Sequence, residues 1–296
     1  MPKAVVTGGA GFIGSHVVDE LLSKNYEVLV LDNMSTGNLD NISSDKVEVY
    51  RADVTGSPQS IAALIKGAEC VFHLAAKTSV QESLDEPTPY FLTNSIGTAN
   101  VLEACRLAEV KKFIYSSTSA VYGNTDQFPT SEETRLAPIS PYALSKLMGE
   151  QHCQFYSEVY GVSTLCLRYF NVYGTRMNQK SSYRSVIPIF IDQFSKGEPL
   201  TITNDGAQAR DFVHVEDVAR ANVAAMRLTG SGQPINIGTG VAISVNSIAR
   251  MIGGKTQNIG FRLEPKISLA SIDRAKRFLD WEPHFDAETW IRGQIV

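Results

Sequence analysis

Short runs of β-branched and aliphatic residues recur through the first 170 residues, and between several of them lie stretches whose apolar positions fall three or four apart. The runs are Ala4-Val5-Val6, Glu27-Val28-Leu29-Val30-Leu31, Val47-Glu48-Val49-Tyr50, Glu69-Cys70-Val71-Phe72-His73-Leu74, Lys112-Phe113-Ile114-Tyr115-Ser116 and Ser163-Thr164-Leu165-Cys166-Leu167-Arg168. They predict strands, and the intervening stretches near 12–22, 60–66, 93–108 and 141–160 predict helices. Strand and helix alternating in this way, with right-handed crossovers, give an α/β fold: a doubly wound parallel sheet covered by helices on both faces.

Beyond Asn171 the rhythm breaks. Pro188, Pro199, Pro234 and many glycines cut the chain into shorter elements. Residues 1–170 therefore read as the main domain and 171–296 as a smaller cap. Asp211-Phe212-Val213-His214-Val215, with a helix over 216–228, is expected to return to the main sheet. A last amphipathic helix is expected over 272–279, stopped by Trp281-Glu282-Pro283, with Trp281 in the core.

The first strand runs into Thr7-Gly8-Gly9-Ala10-Gly11-Phe12-Ile13-Gly14. Glycine at these spacings permits a tight turn, close approach of backbone N–H groups to a pyrophosphate, and close packing of helix on strand. The helix N-terminus then faces the anion, which makes Gly8, Gly11, Phe12, Ile13 and Gly14 candidate dinucleotide ligands. The second strand ends in Asp32, at the spacing where a carboxylate accepts hydrogen bonds from the adenosine ribose. It would repel a 2′-phosphate, and no arginine follows it in Asn33-Met34-Ser35-Thr36, so NAD is favoured over NADP. An aspartate here is also an ordinary strand-ending turn residue.

With 43% hydrophobic residues, the 296-residue chain can bury a substantial core. Twenty-seven Lys and Arg against 31 Asp and Glu give a net charge of −4 with no basic run, which disfavours nucleic acid as a partner. No apolar run reaches membrane-spanning length, and the N-terminus opens directly on a strand, so a cytoplasmic location is expected. Cys70, Cys105, Cys153 and Cys166 are far apart and lack metal-ligand spacing; they read as buried reduced thiols, and no metal is expected.

Pro141 is well placed to start a helix, and Tyr142 and Lys146 then share one face of it. A free phenol is a poor base at neutral pH, but positive charge beside it stabilises the phenolate. Next to a bound dinucleotide, that pair points to redox chemistry at a carbinol. The hydroxyl-rich Ser116-Ser117-Thr118-Ser119-Ala120-Val121-Tyr122-Gly123 follows a strand, at the end where ligands bind in open α/β sheets.

Together with Phe72-His73-Leu74-Ala75-Ala76, Leu167-Arg168-Tyr169-Phe170-Asn171, Arg210-Asp211-Phe212-Val213-His214-Val215-Glu216-Asp217 and Trp281-Glu282-Pro283, these motifs resemble the extended short-chain dehydrogenases. The likeness is to their NAD-dependent epimerase/dehydratase group, and within it to the 4-epimerases of UDP-hexoses. The resemblance implies a Rossmann fold, bound NAD, and inversion at C4 of a UDP-sugar through a 4-keto intermediate, in a homodimer pairing the helices near 93–108 and 141–160. Val101, Leu102 and Leu144 would supply that face or the core. It makes Thr118, Tyr142 and Lys146 catalytic. Around NAD it adds Asn33, Asp53 and Val54 at the adenine, Ala75 and Lys77 near the pyrophosphate and nicotinamide, and Asn94 nearby. For the UDP-sugar it adds Asn171 and Arg210, whose alternative is an ion pair with Asp211. The family's later Arg-x-Gly-Asp/Glu segment is irregular in Phe261-Arg262-Leu263-Glu264, where Arg262 is the matching arginine. Ser268 falls where relatives carry a bulky aromatic or a small residue beside the sugar. Related 4,6-dehydratases place an Asp-Glu pair after the catalytic hydroxyl. Ser119 and Ala120 stand there in this chain and cannot protonate a leaving hydroxyl, which disfavours dehydration. The resemblance gives His73 no site role; packing or a backbone-orienting bond is expected.

Overall fold

The computed structural model describes residues 1–42, 46–177, 185–261 and 264–295. Seven parallel strands form the main sheet, in the order Ser231–Ile237, Ser163–Tyr169, Lys112–Thr118, Cys70–His73, Lys3–Thr7, Glu27–Asp32, Val47–Arg51. Successive residues alternate between two apolar layers. Ala4 and Val6 join one with the helices Phe12–Ser23 and Val215–Ala225; Val5 joins the other with the helices Pro58–Ile65 and Gly97–Leu107. Coverage on both faces explains why the central strands read as uninterrupted apolar runs. The strand order reverses beside Lys3–Thr7, and a crevice for ligands opens at the carboxyl ends there.

The cap has its own core of Tyr173, Ile187, Phe190, Phe212, Ile248 and Ile291 among others. Its principal strands are short: Ala209–His214 pairs with Ala242–Ser244, Ile267–Ser268 and Asn171–Tyr173. The segment near 209–228 therefore divides. Its helix packs on the main domain, whereas its strand stays in the cap sheet, because its register partners lie there. The strand that does return to the main sheet is Ser231–Ile237. Its polar start and Pro234 conceal it in sequence; an edge strand tolerates both, at a register shift between Ser231 and Pro234.

The helix expected over 272–279 is helical from 273 to 279, widened over Ala275–Leu279, and ends at Asp280 with φ +50°. Val101 and Leu102 are fully buried in the core between helix and sheet, so neither supplies an exposed face, whereas Leu144 is exposed. Of the two roles expected for His73 packing holds: it is buried between Phe113 and Tyr115 (ring centroids at 5.5 and 6.0 Å), its ring nitrogens meet the hydroxyls of Thr7 (2.7 Å) and Thr98 (3.0 Å), and burial holds its pKa down at about 3. Trp281 is in the core, its indole N–H donating to the Asp217 carbonyl. All four cysteines are buried free thiols.

Candidate active site

A cavity of about 570 Å³ lies along the carboxyl ends of the strands, and a smaller one of about 210 Å³ opens toward the cap. Thr118, Tyr142, Tyr169 and Phe170 line both.

Gly8, Gly11, Phe12, Ile13 and Gly14 form the floor of the larger cavity. Gly8 has φ +70°, a conformation in which a side chain is strained. A Cβ on Gly14 would lie 2.1 Å from the Gly8 carbonyl oxygen. The helix that follows begins at Gly11 with no side-chain cap, so its first N–H groups remain available to an anion. Asp32 is buried at the far end. Its carboxylate accepts from the N–H groups of Ala10 (3.0 Å) and Met34 (2.8 Å), which fixes it against the cavity. Asn33, Asp53 and Val54 line the same end. Asp53 accepts from Asn33 Nδ2 (2.9 Å) and from the Thr55 N–H and hydroxyl, and these bonds hold its carboxyl below the usual range. An uncapped helix N-terminus on the cavity floor and a fixed carboxylate at the end of the second strand fit a dinucleotide.

Ala75 and Lys77 line the cavity from the next strand end, with Ala75 against Gly8. Lys77 Nζ lies 3.3 Å from Glu82 and 5.6 Å from the Tyr90 ring centroid. Tyr90 in turn meets Tyr142 edge to face at 6.5 Å. Asn94 is buried behind this wall, next to Lys77. It accepts from the Lys77 N–H (2.8 Å) and donates to the Lys77 carbonyl (2.9 Å) and Ser145 Oγ (3.0 Å), clamping the strand end to the next helix.

The Pro141–Tyr160 helix opens on Ser140, whose Oγ accepts from the Ala143 N–H, with Pro141 in the first turn. Gly149 lets it sit against the Lys112–Thr118 strand, since a Cβ there would meet the Tyr115 hydroxyl at 2.1 Å. Tyr142 in the first turn and Lys146 one turn later both face the larger cavity. Lys146 is 3% exposed, and its Nζ donates to the Ser116 carbonyl (2.7 Å), 5.0 Å from the Tyr115 ring centroid. Burial pushes its pKa down to about 7, so an anionic oxygen beside it would restore the ammonium. Thr118 ends the strand; its Oγ1 accepts from the Ala120 N–H (3.2 Å) while the residue faces both cavities. It is thus a capping hydroxyl and a wall of the site at once.

Asn171, Arg210 and Ser268 line the smaller cavity with Ser119 and Ala120. Arg210 pairs with Glu264 at 2.6 Å and not with Asp211. Asp211 is buried, where it accepts from the N–H groups of Thr239, Gly240 and Ala270. Asn171 Nδ2 donates to the Asp211 carbonyl (3.1 Å). Arg262 lies outside the described residues. Sequence reasoning missed Tyr90 and Glu82 on the cofactor side, and a buried ion pair behind the site, Glu150 with Arg168 at 2.6 Å. An arginine inside the apolar run Leu167-Arg168-Tyr169-Phe170 was the available signal, because a charge there requires a partner.

Residues 4–238 match the model of the NAD dependent epimerase/dehydratase family. A putative UDP-glucose 4-epimerase of Methanocaldococcus jannaschii is 40% identical, covering 98% of this chain and 96% of its own. The crystal structure of a Thermotoga maritima UDP-glucose 4-epimerase with UDP-glucose superposes with a TM-score of 0.93 at 36% identity, covering 99% of this chain and 97% of that one. The structure of a Methanobrevibacter ruminantium UDP-N-acetylglucosamine 4-epimerase with UDP-N-acetylmuramic acid also gives a TM-score of 0.93, at 34% identity and the same coverage of 99% and 97%.

Proposed function

The chain belongs to the NAD dependent epimerase/dehydratase family, and on that premise we propose that it is an NAD-dependent isomerase inverting C4 of a UDP-hexose, converting UDP-glucose and UDP-galactose into one another through a 4-keto sugar. The observation that carries this reading is the placement of Tyr142 and Thr118 on the wall common to both cavities. Residues 1–170 hold the cofactor through Gly8, Gly11, Phe12, Ile13, Gly14, Asp32, Asn33, Asp53, Val54, Ala75 and Lys77; residues 171–296 chiefly receive the UDP-sugar. Bound there, NAD supplies the acceptor that takes a hydride from C4 and returns it to the other face. Tyr142 takes the proton of the 4-hydroxyl, and Thr118 hydrogen-bonds the same oxygen. Lys146, desolvated one helical turn away, favours the phenolate by its charge. After the ketone turns about its bond to the diphosphate, Tyr142 gives the proton back. Arg210 exchanges Glu264 for phosphate oxygens, which suit its planar fork, and Asn171 bonds the nucleotide beside it. Ser119 and Ala120 offer no acid to expel a hydroxyl, which supports epimerisation over dehydration.

Incubation of the purified protein with UDP-glucose, UDP-galactose and their 2-acetamido analogues, without added cofactor, tests the proposal by resolving the products. Absence of any 4-epimer from all four substrates would refute it.

Asp32→Ser removes the charge that opposes a 2′-phosphate, so the preference for NAD over NADP falls several-fold. Calorimetric titration with both cofactors measures this, and an unchanged ratio would remove Asp32 from its role.

A second reading, acceptance of 2-acetamido sugars, is favoured by the small side chain of Ser268 in the smaller cavity, paired in register with Arg210. With Ser268→Tyr, turnover of UDP-N-acetylglucosamine falls far more than that of UDP-glucose, the mark of an added clash. Equal losses would place the limit of the pocket elsewhere.

Among the described residues no helix is long and apolar enough to cross a membrane. We further infer a homodimer, supported by exposed Leu92, Ile96, Leu144 and Phe155 on the two helical segments expected to pair. A cytoplasmic location agrees with four reduced thiols.

A further inference from the structure

Behind the smaller cavity, five polar side chains, each 6% exposed or less, join in one chain of hydrogen bonds. Ser117 Oγ donates to Glu150 Oε1. Arg168 grips the same carboxylate through Nε (2.9 Å) and Nη2 (2.6 Å), and its Nη1 donates to the Tyr122 hydroxyl at 2.9 Å. That hydroxyl donates to Asn236 Oδ1 at 2.6 Å. Asn236 Nδ2 then donates to the carbonyls of Thr130 (2.9 Å) and Ser271 (3.3 Å).

The two ends of this chain belong to different parts of the site. Glu150 is one turn beyond Lys146 on the same helix face, and Ser117 sits between Ser116, which accepts from Lys146, and Thr118. The Ser117–Glu150 bond thereby ties the helix that carries Tyr142 and Lys146 to the strand end that carries Thr118, and Arg168 holds Glu150 in place from the next strand. At the other end the Tyr122 ring forms part of the smaller cavity, 4.9 Å from the Arg168 guanidinium carbon and packed on Phe170. Thr130 is another wall, and Ser271 follows three residues after Ser268. A buried ion pair contributes little net stability compared with apolar packing, while a broken network leaves costly orphan groups. Its effect is therefore to hold geometry.

We infer that the Tyr122 hydroxyl and Asn236 are positioning groups for the sugar: anchored on Glu150–Arg168, they hold the wall that Tyr122 and Thr130 give the smaller cavity against the 4-keto sugar while it turns. This rests on the 4-epimerase reading. At that stage the 4-hydroxyl oxygen has given its proton to Tyr142 and C4 would have given a hydride to the bound NAD, and a ketone that escapes is not reduced again. A firm wall keeps the ketone on the enzyme.

The test uses Tyr122→Phe, which keeps the ring and removes only the bridging hydroxyl. NAD content and affinity for UDP stay within about twofold of the parent, since neither is held by this wall. Turnover of UDP-glucose falls about tenfold, the scale of a small misplacement of bound substrate. The 4-keto sugar also appears in solution, trapped by borodeuteride, at about tenfold the parental amount. Asn236→Ala acts in the same direction and carries the test if the phenylalanine variant does not fold. The double variant is no worse than the poorer single one, because both cut one chain of bonds. Parental turnover without trapped ketone, a lowered melting temperature alone, or additive losses would each overturn the inference. A parent that epimerises no UDP-hexose fails the functional reading itself and is recognised before any variant is made.

Discussion

Tyr142→Phe lowers turnover by about two to four powers of ten, the range in which a positioned acid–base group contributes, and leaves the affinities for NAD and UDP nearly unchanged. The ring remains packed edge-on to Tyr90, so the walls of both cavities persist. Only the hydroxyl is lost, and with it the group that takes and returns the proton at C4. Lys146 cannot substitute, because its Nζ is turned to the Ser116 carbonyl. Rates from resolved products, with calorimetric affinities for UDP, check this. A phenylalanine variant turning over at near the parental rate would remove Tyr142 from its role.

Gly14→Ala weakens cofactor binding by roughly a hundredfold. The added Cβ would fall 2.1 Å from the Gly8 carbonyl oxygen and 2.8 Å from the Gly9 Cα, both backbone atoms that cannot rotate away. The turn cannot retreat either, since Gly8 already lies at φ +70° with Ala75 against it. Forcing the helix off the strand costs about 3 kcal/mol, which corresponds to roughly a hundredfold in affinity if the displacement is borne by the pyrophosphate site. The parent's melting temperature rises with added NAD, and that of the variant rises far less. An equal rise in both would mean that the glycine turn does not hold the cofactor.

The elements legible in the sequence are those whose pattern is imposed locally. Strands covered on both faces, such as Glu27–Asp32 and Lys112–Thr118, carry an unbroken apolar run in their covered part and were readable to within a residue or two. Tyr142 and Lys146 were readable because a helix places residues four apart side by side, and the glycine turn because only glycine fits its contacts. What depends on distant partners was hidden. Ser231–Ile237 looks like a loop until Ser163–Tyr169 pairs with it. Arg210 has Asp211 as its neighbour in sequence, but its ion-pair partner is Glu264, brought near by the pairing of Ser268 with Arg210. Arg168, Tyr122 and Asn236 meet across separations of 46 and 114 residues, which no local period records. Val101 and Leu102 were ambiguous for another reason: an apolar stripe on a helix looks the same whether it faces its own sheet or a second copy.

The most direct measurement follows a deuterium placed at C4 of UDP-glucose through the reaction, with no cofactor added to the purified protein. UDP-galactose carrying the label at C4 is expected, because the hydrogen removed from that carbon is returned to its opposite face within one enclosed site. Failure to form the C4 epimer, or an epimer whose C4 label has been exchanged for solvent hydrogen, would contradict inversion by internal oxidation and reduction.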